Sequence, residues 1–61
     1  MKDKLKSLIE NSGETIYKIS KETGISQTAI SEWVKGSYTP KLENLKILAE
    51  HFGVPITYFI E

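Results

Sequence analysis

With 61 residues the chain reads as one small domain, 1–61, which buries only about 60% of its unfolded surface and depends on well-packed helices. It has no cysteine and a single histidine, His51, so disulfides and thiolate metal sites are excluded and no second histidine is available for a metal site of another kind. Eight lysines balance eight acids, and no apolar run exceeds three residues, so neither a strongly basic surface, a membrane span nor a signal peptide is expected.

The charge is uneven along the chain. Residues 1–41 hold seven lysines against five acids, whereas residues 42–61 hold Lys46 against three. A zero net charge counts against nucleic acid, for which a basic domain is usual. The mild excess in the first part counts weakly the other way. Every basic residue is lysine, so no guanidinium fork is available for a guanine or a phosphate.

Taken in order, residues 2–12 read as the first helix, with Leu5, Leu8 and Ile9 inward and Gly13 ending it. Lys2, Lys4 and Lys6 surround its start, either as phosphate contacts or as solvated surface. Thr15 is the expected N-cap of a second helix that runs to about Thr23, with Ile16 and Ile19 on its apolar edge. Gly24 is suited to the left-handed conformation that ends a helix, and Ser26 to capping the next. The third helix runs from about Gln27 to Lys35 and stops at Gly36. Ala29, Ile30, Trp33 and Val34 fall on one side of it, and Gln27, Thr28, Ser31, Glu32 and Lys35 on the other. In the loop 36–40, Thr39 is the expected cap and Pro40 the expected first residue of a fourth helix, about Lys41 to Phe52. Its core stripe is Leu42, Leu45, Leu48, Ala49 and Phe52, with Ile47 off the stripe. Gly53 ends it, and a fifth helix is expected from Pro55 to about Ile60, with Val54 and Phe59 closing the core.

The second and third helices form a helix-turn-helix. Ser20 comes four residues after Ile16, Gly24 eight, Ile30 fourteen and Trp33 seventeen. Steeply crossing helices need a small residue where their backbones approach, a glycine at the reversal, and large apolar residues where the second helix meets the domain. The polar face of that second helix is then free, with the dimensions of a major groove. Gln27 can pair with adenine N6 and N7, and Thr28 offers a methyl to thymine and a hydroxyl to a base or phosphate. Ser31 and Glu32 complete the candidate base-reading set. Glu32 either accepts from cytosine N4 or pairs with Lys35. The N-terminal amides of the fourth helix, with Lys41 beside them, make an anion site suited to a phosphate.

The stretch from Leu5 to Ile60 resembles the phage Cro/repressor-type helix-turn-helix family. The matching residues are Leu5, Leu8, TIYKISKETGISQTAISEWVKG (15–36), Pro40, LENLKILAEHFGV (42–54) and Tyr58-Phe59-Ile60. The resemblance implies an all-α, compact five-helix bundle of the lambda-repressor-like DNA-binding type. It also implies a sequence-specific transcriptional regulator, a repressor that binds a palindromic operator in double-stranded DNA as a homodimer. The first residues of the second helix touch the DNA backbone in this family, often through a glutamine where this chain has Ile16. Tyr17 and Lys18 are the possible substitutes, and Lys35, Ser37, Tyr38 and Lys41 are further candidate phosphate contacts. Ile47, Ile56, Tyr58 and Ile60 are the expected dimer face. The family often pairs an arginine with a glutamate at the positions of Ile9 and Val34, so an apolar contact is expected between these two. Trp33 is expected to be buried where the third helix meets the first and fourth. The implied location is the cytoplasm of a bacterium or phage-infected host, at the nucleoid. No cofactor, metal or membrane partner is expected. A helical protein-interaction module, such as the antitoxin of a toxin-antitoxin pair, is the alternative function. An enzyme is rejected, since the sequence offers no nucleophile–base pair, metal cluster or glycine-rich phosphate loop.

Overall fold

Capping chemistry sets most of the helix ends. In a computed structural model, which describes residues 2–60, five helices follow in order: α1 (Lys2–Ser12), α2 (Ile16–Thr23), α3 (Gln27–Lys35), α4 (Leu42–Phe52) and α5 (Thr57–Ile60). No strand occurs among the described residues. Thr15 caps α2 by accepting from the Lys18 amide at 3.1 Å, and Ser26 caps α3 by accepting from Ala29 at 3.1 Å. Gly24 and Gly36 end these helices at φ 80° and 86°, a region that penalises any side chain with a Cβ.

The core is apolar throughout. Leu5, Ile19, Ile30 and Leu48 are fully buried, and Ile25, Trp33, Leu45, Ala49 and Phe59 nearly so. Leu8, Ile9, Ile16, Ala29, Val34, Phe52, Val54, Ile56 and Tyr58 pack around them half-buried. Helix α3 lies against α1 and α2, α2 also meets α4, and α1 meets α5. Among the described residues no helix is long and apolar enough to cross a membrane.

Several expectations are corrected. Thr39 does not cap α4, and Pro40 is not its first residue. The cap falls two residues later, at Lys41, which makes no side-chain cap bond, and the helix itself begins at Leu42. Pro40 is buried instead, at the N′ position, and Leu45 at N4 is buried too, the two positions between which a hydrophobic staple forms. Leu42 is not in the core but 55% exposed, at the first position of the helix, where a side chain leans back toward the helix N-terminus. The fifth helix is only four residues long. Pro55 and Ile56 form the turn before it, their carbonyls accepting from the Tyr58 and Phe59 amides. Trp33 is buried as expected, in one core cluster with Leu5 of α1 and Leu45, Leu48 and Ala49 of α4, while the helices packed closest to α3 are α1 and α2.

Candidate functional site

The turn between α2 and α3 is held by side chains as well as by glycine. The Ser20 hydroxyl donates to the Ile25 carbonyl. Thr23 Oγ1 donates to the Ile19 carbonyl at 2.7 Å and accepts from the Ile25 amide at 3.2 Å. Ile25, the one residue between the glycine and the cap, is itself buried. Each of these bonds is worth about 1 kcal/mol net, but together they fix how α3 leaves α2. Ser20 is thus more than a small residue at a crossing; it ties the helix to the turn.

With Ile30 and Trp33 buried beneath it, α3 presents the opposite face outward. Gln27, Thr28 and Lys35 are exposed, and Ser31 and Glu32 partly so. All five line one open cleft of about 440 Å³, and Ile16 from the start of α2 completes it. The cleft gathers an amide, two hydroxyls, a carboxylate, an ammonium group and one apolar patch on a rigid pair of helices. Among the described residues Glu32 forms no ion pair, so the pairing with Lys35 is not made. Ile16 belongs to the cleft wall as much as to the core, which its place on an apolar edge did not indicate. Lys2, read from the sequence as a phosphate contact or solvated surface, has a packing contact that neither reading indicated. Its aliphatic stem lies over Gly36 at the end of α3, so close that a Cβ on that glycine would sit 2.7 Å from Lys2 Cδ.

The other candidate anion contacts are exposed but do not line this cleft. Tyr17 is 57% and Tyr38 69% exposed, and Lys18, Ser37 and Lys41 are also open to solvent. Lys21 sits over the Tyr17 ring at 5.5 Å. Lys18 Nζ lies 3.9 Å from Oε2 of half-buried Glu14, and with the ammonium itself exposed the pair is screened by salt. At the start of α4, the Lys41 carbonyl accepts from the Asn44 and Leu45 amides at 3.0 Å, and its side chain makes no cap bond, so the Leu42 and Glu43 amides are left without a side-chain acceptor.

The expected apolar face at the C-terminal end divides. Ile47 and Ile60 are exposed. Ile56 and Tyr58 are half-buried against this chain's own core. The Tyr58 ring meets Phe59 edge-on at 5.5 Å and carries Lys4 Nζ 5.8 Å from its centre. A second polar group, which the sequence gave no reason to expect, lies at the α2–α4 side. His51 sits between Glu14 and Glu22, and these three side chains can bring ligand atoms within 4.8 Å of one another. The lack of a second histidine therefore does not rule out a metal-binding group.

The helix-turn-helix family model matches residues 5–59 of the chain. No curated protein and no solved structure matches it significantly.

Proposed function

Because the chain belongs to the Cro/C1-type helix-turn-helix family and is thus a DNA-binding regulator of lambda-repressor-like fold, we propose that it is a repressor that reads a short palindromic operator through α3. The observation that supports this most is the cleft that joins Ile16, Gln27, Thr28, Ser31, Glu32 and Lys35 over a helix anchored by buried Ile30 and Trp33. Gln27 and Thr28 stand at the start of α3, the end that enters a major groove first in this kind of docking. Gln27 pairs with an adenine edge, and Thr28 meets a thymine methyl or a phosphate. Ser31 and unpaired Glu32 read the next positions, with Glu32 accepting from cytosine N4. Ile16 offers a second apolar contact beside Thr28. Lys35, Ser37, Tyr38, Tyr17 and Lys18 reach phosphates around the groove. The open amides of α4 with Lys41 take another.

The zero net charge limits the non-specific part of the affinity, which comes from phosphate neutralisation. Sequence choice then rests on the α3 face rather than on general basicity. Repression follows from occupying a promoter as a dimer that reads two half-sites about 34 Å apart. Exposed Ile47 and Ile60 are the residues left for the dimer contact. The test is selection from a random DNA pool at low salt. The expected product is a palindrome with half-site centres one helical turn apart, released as salt rises. Failure to retain any DNA at low salt refutes the reading and favours the interaction-module alternative.

A further inference from the structure

We propose that His51 and Glu22 bind a divalent transition cation of the zinc class, with Glu14 as the carboxylate that orients the histidine. The site shares no residue with the α3 cleft. His51 Nε2 lies 2.6 Å from Glu14 Oε1, a good hydrogen bond that places a proton on Nε2. In the neutral ring Nδ1 then carries a lone pair, and it faces Glu22 Oε1 at 3.6 Å. With the ring neutral, two acceptors face each other across a gap of 3.6 Å, too long for a hydrogen bond, and a cation between them replaces the proton that would otherwise join them. The same gap matches the spacing of two ligands around one tetrahedral ion, about 3.4 Å for metal–ligand bonds of about 2.1 Å. The carboxylate–histidine–metal arrangement is the usual way a protein fixes the tautomer and raises the basicity of a ligating imidazole.

The surroundings favour a cation. Glu22 and His51 each lie in the last turn of their helix, α2 ending at Thr23 and α4 at Phe52, where free carbonyls carry partial negative charge. Glu50 and Thr23 line the same cleft, of about 280 Å³, with Glu22 and His51. The open side of this cleft leaves room for water to complete four-coordination around the His51 and Glu22 ligands. The Lys18 ammonium, 3.9 Å from Glu14, is the one cation paired to this group among the described residues. The His51 side chain is only 10% exposed, so its ring is held in place, whereas Glu22 is 50% exposed and free to close on an ion. A bound ion joins the last turn of α2 to the last turn of α4.

Thermal unfolding of the full chain with Zn2+, Ni2+ or Mg2+ tests this. Saturating Zn2+ is expected to raise the midpoint by about 4–8 °C or more, since an ion that binds only the folded state stabilises it by mass action. Ni2+ acts in the same direction, and Mg2+, which prefers oxygen ligands and keeps its waters, has no effect. Glu22→Gln leaves the metal-free midpoint nearly unchanged and abolishes the Zn2+ shift, as does His51→Gln, while Glu43→Gln at the far end of α4 retains it. Should His51→Gln fail to fold, the exposed Glu22 position still decides. A midpoint unchanged or lowered by Zn2+, or an equal rise in Glu22→Gln, overturns the assignment.

Discussion

Gly24 and Gly36 share a left-handed backbone but differ in what surrounds them. Nothing lies within 4 Å of a Cβ built at Gly24, whereas at Gly36 it meets the Lys2 stem. Gly24→Ala is therefore expected to cost only the backbone strain, about 1–2 kcal/mol. Lys2 is exposed and flexible, so its stem swings aside and Gly36→Ala costs about the same. Chemical denaturation of both variants checks this. If Gly36→Ala loses more than ~1 kcal/mol beyond Gly24→Ala, and Lys2→Ala restores it, the stem is fixed over the end of α3. Trp33 is the opposite case, a residue whose value is its volume. It is 7% exposed, and Trp33→Ala is expected to cost about 3–5 kcal/mol, comparable with the whole stability of so small a domain. A folded variant with an unchanged melting point contradicts that.

At the level of elements, helix ends governed by local bonds were legible. Thr15, Ser26, Gly24 and Gly36 do what their positions in sequence imply, because a cap bond or a left-handed turn involves residues no more than a few apart. The start of α4 was not legible. Thr39-Pro40 has the form of a cap followed by a first-turn proline, but Pro40 is buried before the helix and tertiary packing overrides the local signal. Leu42 was misplaced for the same reason, since a stripe counted from the sequence does not show where the core ends. The Glu14–His51 contact spans 37 positions, and no local pattern announces it. On the pairing of α1 with α3, Ile9 and Val34 lie half-buried on helices that pack together. A double-mutant cycle of Ile9→Ala and Val34→Ala is expected to give a coupling of at least ~0.5 kcal/mol. Strict additivity places the two side chains apart and shifts the alignment of α1 with the family.

For the whole molecule, assembly and DNA readout are separable. Ile47→Glu and Ile60→Glu introduce charge at exposed positions, so the domain stays folded while a dimer held there weakens. Sedimentation on a full palindrome is expected to show one dimer for the parent chain and weaker, monomer-first binding for the variants. A parent chain that sediments as a monomer both free and on the palindrome rules the dimer out. Ile56 is less suitable, since a charge there also disturbs the chain's own core. The central claim is that the outer face of α3 reads sequence, while lysines and amides around it hold the backbone. Binding of Gln27→Ala and Lys35→Ala to the selected operator and to scrambled DNA, at several salt concentrations, tests it most directly. Gln27→Ala is expected to lose about 1–3 kcal/mol on the operator and much less on scrambled DNA. Lys35→Ala is expected to weaken both about equally and to lower the salt slope by about one contact. Equal weakening of both DNAs by Gln27→Ala would contradict the account, because Gln27 would then be gripping backbone rather than reading a base.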